Sequence, residues 1–155
     1  MVATFLNWEP WQSLLVQDLI AHESFRAHLY DDATGKTPVK TWVGNLTVGY
    51  GWNIEGTGIN TELGLIVLKY QIERVVKELS ERFYWFAKLS PNRKRALSNL
   101  CFNMGIGRLL GFKQALSAME HHTFEIAAKE FLDSLWAMQV GPTRSKFVAD
   151  LIREG

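Results

Sequence analysis

The sequence predicts an α+β fold: a small antiparallel β-sheet lobe and a larger helical lobe, joined by a long helix, with a cleft between them. Three observations carry this reading. From Leu29 to Ile59, Gly35, Gly44, Gly49, Gly51, Gly56 and Gly58 punctuate short segments rich in Val, Thr, Tyr and Trp. Short strands with tight turns have that signature. After Asn60-Thr61, Leu65, Leu68, Ile72, Val75 and Leu79 step by three or four, the period of an amphipathic helix. Beyond Ser90 the same period returns several times, interrupted by Gly and Pro.

Each element has a local reason. Residues 11–23 read as a helix, because Trp11, Leu14, Leu15, Leu19 and Ile20 recur on one side and Glu9-Pro10 marks its start. The sheet lobe spans about 24–60. Asn60 caps the connecting helix, about 61–80. The helical lobe takes residues 81–155 together with the N-terminal helix. Ser90-Pro91 opens its first helix, with Pro at the first helical position. Ala96, Leu97, Leu100, Cys101 and Met104 form that helix's buried face, and Gly105 and Gly107 end it. Further helices are expected at 112–120, 124–135 and 143–153, with Gly141-Pro142 separating the last two. The whole, 1–155, reads as one domain.

Composition narrows the function classes. Hydrophobic residues make up 47% and charged residues 21%, an ordinary globule. The net charge of +1 is split unevenly: residues 1–60 carry −3 and residues 61–155 carry +4. That imbalance suits an anionic polymer meeting the second half, but it is too weak to argue for nucleic acid. The single cysteine, Cys101, excludes an intramolecular disulfide and sits in an apolar stretch, so a buried inert thiol is expected. The first basic residue is Arg26, so no secretory leader is expected. No segment approaches the roughly 20 apolar residues of a membrane span.

The chemistry centres on two carboxylates nine positions apart, Glu23 and Asp32. Glycosidic bonds break when one carboxylic acid protonates the leaving oxygen while a second carboxylate activates water or attacks the sugar. A carboxyl near a helix C-terminus is held toward its protonated form by the macrodipole, and an apolar wall acts in the same direction. Glu23, with Phe25 and Leu29 nearby in sequence, is placed for both. Asp32 precedes a turn, Ala33-Thr34-Gly35, where solvent and backbone N–H groups favour an ionised base. Thr47 supplies a hydroxyl that both donates and accepts, suited to orienting a water. Gly49 and Gly51 permit tight backbone geometry beside it.

These residues carry a resemblance. Glu23-Ser24-Phe25-Arg26-Ala27-His28-Leu29-Tyr30-Asp31-Asp32, then Gly35, then Thr47-Val48-Gly49-Tyr50-Gly51, resembles the phage-type lysozymes of glycoside hydrolase family 24. Their pattern is E-G-x-R-x-x-x-Y-x-D, a glycine, then T-[IV]-G-x-G. The resemblance continues through Phe102-Asn103-Met104-Gly105, Gly111-Phe112, Ala127-Ala128, Ser134-Leu135-Trp136 and Pro142-Thr143-Arg144. It implies a lysozyme-like fold and an N-acetylmuramidase cutting the β-1,4 bond between N-acetylmuramic acid and N-acetylglucosamine in peptidoglycan. It implies Glu23 as general acid, Asp32 as the base activating water and Thr47 as positioning residue, with inversion at the anomeric carbon and neither cofactor nor metal. Tyr30, Trp52, Asn53, Phe102, Asn103, Trp136 and Arg144 are the implied substrate contacts; Arg144 matches a basic residue reaching back toward the catalytic Glu. An endolysin held in the bacterial host cytoplasm, freed by a holin, and acting as a monomer on glycan strands in the periplasm is also implied.

Three departures stand out. Ser24 replaces the family's glycine, the segment from Gly35 to Thr47 is longer than in the T-even members, and Trp52 stands where those members have His. Asp31 is a rival to Asp32, but the Tyr-x-Asp spacing selects Asp32. Thr47–Gly51 matches a potassium-channel filter, which needs membrane helices the chain lacks. A zinc amidase would draw on His22, His28, His121, His122 and Cys101, yet His121 and His122 are adjacent and point apart, as at a helix junction. A lytic transglycosylase would cut the same bond with one Glu and leave Asp32 and Thr47 without a role. A non-catalytic wall-binding module would use exposed aromatics, with Trp42, Trp52 and Trp85 as candidates.

Overall fold

A computed structural model describes residues 10–22, 24–37 and 40–155. Glu9, part of the helix start signal, and Glu23 lie outside the described residues, as does the side chain of Trp11. The chain divides into two compact units, Met1–Leu63 and Gly64–Gly155. The α+β class holds: most of the chain is helical and one small antiparallel sheet is present among the described residues.

The first unit contains α1 (Pro10–His22), β1 (Arg26–Asp31), β2 (Leu46–Gly49), β3 (Trp52–Asn53) and the single turn α2 (Ile54–Thr57). The strands pair in the order β1-β2-β3, both pairs antiparallel. Gly49 and Gly51 take φ of +67° and +74°, a left-handed backbone that L side chains rarely adopt, and this folds β2 onto β3 across Tyr50. The register sets Tyr30 opposite Thr47 and Thr47 opposite Asn53. Directly paired residues share a face, so these three form one row across the sheet.

α3 (Thr61–Arg82) begins where the sequence places it: the Leu63 N–H donates to Asn60 Oδ1 at 2.9 Å. The second unit continues through a 3₁₀ turn at Phe86–Lys88, α4 (Pro91–Leu109), α5 (Lys113–Glu120), α6 (Phe124–Leu132), α7 (Leu135–Val140) and α8 (Pro142–Glu154). Ser90 caps α4 by accepting from the Arg93 N–H, with Pro91 at the first position. Gly105 interrupts α4 with φ 78° and ψ 155°, and one further turn follows it.

The core of this unit gathers Leu79, Leu97, Leu100, Leu109, Met119, Phe131 and Ile152, all fully buried. Side chains of this size stabilise by roughly 1.5–3 kcal/mol each when removed from water. α8 packs on α4 and α6, and α6 on α5. Arg93 ties three helices together. Its guanidinium donates to the Ile152 and Arg153 carbonyls at the end of α8, at 2.9 and 3.1 Å, and lies 3.5 Å over the Phe124 ring. Those carbonyls have no helical partner of their own, so a cation there satisfies both their hydrogen bonds and the helix dipole. Cys101 is buried as expected, and burial, with the nearby Glu78, pushes its thiol pKa up.

Three expectations need correction. Gly105 and Gly107 do not end α4, which resumes after the break at Gly105 and runs to Leu109. The helix expected over 124–135 is two helices. α6 ends at Leu132, and Ser134 restarts the chain as an N-cap, its hydroxyl accepting from the Ala137 N–H at 3.3 Å. Trp85 is not an exposed aromatic. The 3₁₀ turn folds it inward, where it stacks on Phe83 at 4.9 Å between ring centres.

Candidate active site

Asp31 ends β1 and turns its side chain into the loop that returns toward β2. Its Oδ1 accepts from the Ala33 and Gly44 N–H groups at 2.9 and 3.1 Å, and its Oδ2 from the Val43 N–H at 2.7 Å. The residue is buried, 2% exposed. The Val43 N–H, helped by those of Gly44, Ala33 and Thr34, holds its pKa below the ordinary 3.8 against the opposing effect of desolvation. A carboxylate with three backbone donors is the anchor of its loop.

Asp32, one residue on, is exposed in the turn. Its Oδ1 accepts from the Asn45 N–H at 2.6 Å and its Oδ2 from Asn45 Nδ2 at 3.0 Å. Its own N–H donates to the Asn45 carbonyl at 3.0 Å. The Asn45 side chain and then its backbone N–H lower the Asp32 pKa; desolvation and the charge of Asp31 oppose them. Asp32 is thus an ionised carboxylate at neutral pH with lone pairs still facing solvent.

Thr47, on β2, is buried at 3% exposure, and its hydroxyl donates to the Asn45 carbonyl at 3.3 Å. Asp32 and Thr47 therefore share one neighbour, Asn45. Tyr30 is half-buried beneath the Arg26 guanidinium, 4.4 Å from its ring centre, while Arg26 Nη1 donates to the Gly35 carbonyl at 2.9 Å. Asn53 caps α2, its Oδ1 accepting from the Gly56 N–H at 2.8 Å, and Trp52 Nε1 donates to the Thr57 hydroxyl at 2.7 Å. The fold thus brings Tyr30, Asp32, Thr47 and Asn53 onto one sheet and its adjoining turn. Glu23 lies outside the described residues; α1 ends at His22, one position before it in sequence.

The remaining candidates sit in the second unit. Trp136 is buried at 6% exposure, and its indole N–H donates to Asn103 Oδ1 at 2.8 Å. Arg144 directs Nε and Nη2 to Asn99 Oδ1 at 3.1 and 2.9 Å. Phe102 and Arg144 line a cavity of about 560 Å³ with Leu68, Ile72, Val75 and Asn99. His121 and His122 are exposed at the α5–α6 junction, His122 with φ 60°.

Sequence reasoning missed Asn45 and Glu55. The Glu55 carboxylate accepts from the Trp42 indole at 3.3 Å and the Leu46 N–H at 3.2 Å, pinning the return of the long loop. The Gly44-Asn45 dipeptide was the available signal, a turn marker directly before β2.

An exposed carboxylate in the turn after β1 and a buried threonine at the start of a glycine-turned hairpin, on a small sheet followed in sequence by a helical unit, fit one known class of protein. Residues 20–152 match the phage lysozyme family, and the chain belongs to it. Two relatives from Dictyostelium discoideum are similar over 70 residues: probable T4-type lysozyme 1 at 37% identity and probable T4-type lysozyme 2 at 36%. Each match spans 45% of this chain and 41% of the relative, less than half of either.

Proposed function

We propose that the protein is a muramidase that hydrolyses the β-1,4 bond between N-acetylmuramic acid and N-acetylglucosamine in peptidoglycan. Family membership over 20–152 supports the reaction class. The observation that carries the residue assignment is the contrast between the two aspartates. Asp31 is buried and spent on its loop, whereas Asp32 is ionised, exposed and held chiefly by Asn45. Asp32 is the base that activates water, Thr47 orients that water, and Glu23 is the general acid. An acid and a base with a water between them give inversion at the anomeric carbon. The long loop between Gly35 and Thr47 is the part that holds Asp31 and Asp32 in place.

The wider role proposed with it is the one the resemblance to phage-type lysozymes implies: an endolysin, acting as a monomer, kept in the bacterial host cytoplasm and admitted to the wall through a holin, causing host lysis. No helix among the described residues is long and apolar enough to cross a membrane.

The test is turnover on purified peptidoglycan. Glu23→Gln and Asp32→Asn are each expected to lose about 10²–10⁴-fold in rate while keeping the native circular dichroism spectrum. Near-normal turnover by Glu23→Gln removes that residue from the mechanism. If Asp31→Asn is severe and Asp32→Asn is not, the base has been assigned one position too late.

A further inference from the structure

Asn45 touches both Asp32, in the turn after β1, and Thr47, on β2. Its backbone N–H and its side-chain amide donate to different oxygens of Asp32, and its carbonyl accepts from the Asp32 N–H and the Thr47 hydroxyl. Two donors on two oxygens fix the carboxylate against rotation about both side-chain torsions, which one bond cannot do. An ionised carboxylate offers about four acceptor positions, so the exposed Asp32 keeps room to accept from a water. The approach is close. A Cβ on Gly44 would fall onto Asp32 Oδ1 and against Ala33, so the residue before Asn45 must lack a side chain for the carboxylate to lie where it does.

Asn45 is itself held from both sides. Gly44 and Val43, immediately before it, are bound to the buried Asp31 carboxylate. Leu46, immediately after it, is bound to Glu55. The two anchors leave Asn45 no slack, which is how a loop residue attains the precision of a strand residue.

We infer that Asn45 is a positioning residue for the reaction, orienting the Asp32 carboxylate and linking it to Thr47; this rests on Asp32 being the base. A general base works through geometry first and pKa second, and small misplacements of reacting groups are costly. The charged groups facing Asp32 and its clamp are Asp31, which disfavours the Asp32 charge, Glu55 beyond Leu46, and Arg26, which reaches the far end of the turn at Gly35. Within this set Asn45 supplies the largest effect favouring the ionised form. The sign follows: losing its side-chain donor raises the Asp32 pKa and moves the acid limb of activity to higher pH.

The experiment compares the wild-type protein with Asn45→Ala, Asn45→Asp and Asp32→Asn. Readouts are the pH dependence of kcat/KM on soluble peptidoglycan fragments and the Asp32 carboxyl-carbon titration by NMR. Asn45→Ala keeps the backbone donor and loses the side-chain donor; Asn45→Asp also adds a like charge. The expected result is an upward shift of the acid limb and of the Asp32 titration in both, larger for Asp. A fall in kcat of about tenfold or more is expected with KM little changed. Should Asn45→Ala fail to fold, Asn45→Leu, which keeps the branched shape and carries neither donor nor charge, gives the same reading. Wild-type pH profiles in both variants, with Asp32→Asn inactive, overturn the positioning role and leave the base assignment standing. Reduced activity with an unmoved acid limb marks a merely structural contact and also overturns it. Wild-type turnover by Asp32→Asn overturns the base assignment and the positioning role together.

Discussion

Asp31 and Asp32 are covalent neighbours in opposite settings, and the difference lies in where their oxygens find donors. Asp31 turns inward and collects the N–H groups of Ala33, Val43 and Gly44. Asp32 turns outward and is met chiefly by Asn45, with a smaller contribution from the Ala33 N–H. The first arrangement makes a stability prediction with a definite sign. A carboxylate whose folded pKa lies below its ordinary 3.8 binds fewer protons folded than unfolded over that interval. Its contribution is complete above the ordinary value and is lost as pH falls through the lower, folded value. Asp31→Asn is therefore expected to melt at a lower temperature than wild type at neutral pH. The gap should narrow below about pH 4 as the wild-type carboxylate is protonated. Thermal melts across pH 2–7, a range of about five units, check this; a gap that stays constant with pH contradicts the assigned role. The pairing with Val43 and Gly44 was not legible in the sequence. It joins residues separated by a loop whose return path no local pattern encodes, and only the Tyr-x-Asp spacing pointed past Asp31 to Asp32.

At the scale of elements, caps and glycines were legible because they act within one turn of the chain. Asn60, Ser90 and Pro91 begin their helices where a side-chain oxygen or a missing N–H suits an unpaired helix end. Gly105 was read as a helix end and acts as an interruption, since its positive φ breaks α4 before one last turn. The Leu132–Leu135 region misled because apolar spacing continues across Asp133-Ser134, while the Ser134 hydroxyl resets the hydrogen-bond ladder. Trp85, a candidate exposed aromatic, is instead packed inward on Phe83 ahead of a 3₁₀ turn, a contact that no local pattern encodes. The two glycines of α4 offer a controlled comparison, since a Cβ meets nothing within 4 Å at either. At Gly105, with φ +78°, alanine is expected to cost about 1–3 kcal/mol through backbone strain alone. At Gly107, with no such φ, alanine is expected to gain about 0.5–1 kcal/mol. Urea unfolding of both variants measures the contrast; equal effects would mean that Gly105 is not held in the left-handed region.

At the scale of the whole molecule, the α+β class and the order of its elements were open to reading because period and punctuation change sharply at Ile59 and again at Ser90. The family match over 20–152 takes in the acidic pair, the hairpin and the helices that follow. Glu23 belongs to the proposal through its sequence context, whereas Asp32, Asn45 and Thr47 are tied to one another by hydrogen bonds. Hydrolysis and internal transglycosylation cut the same bond and differ in what closes the sugar: water in one case, the muramic acid's own hydroxyl in the other. A base that orients water predicts the first. The decisive measurement is mass spectrometry of the muropeptides that the intact protein releases from purified peptidoglycan. Fragments ending in reducing N-acetylmuramic acid are the expected product, with loss of that product in Asp32→Asn. Fragments ending in the anhydro form, or an intact glycan after exhaustive digestion, would contradict water activation by Asp32.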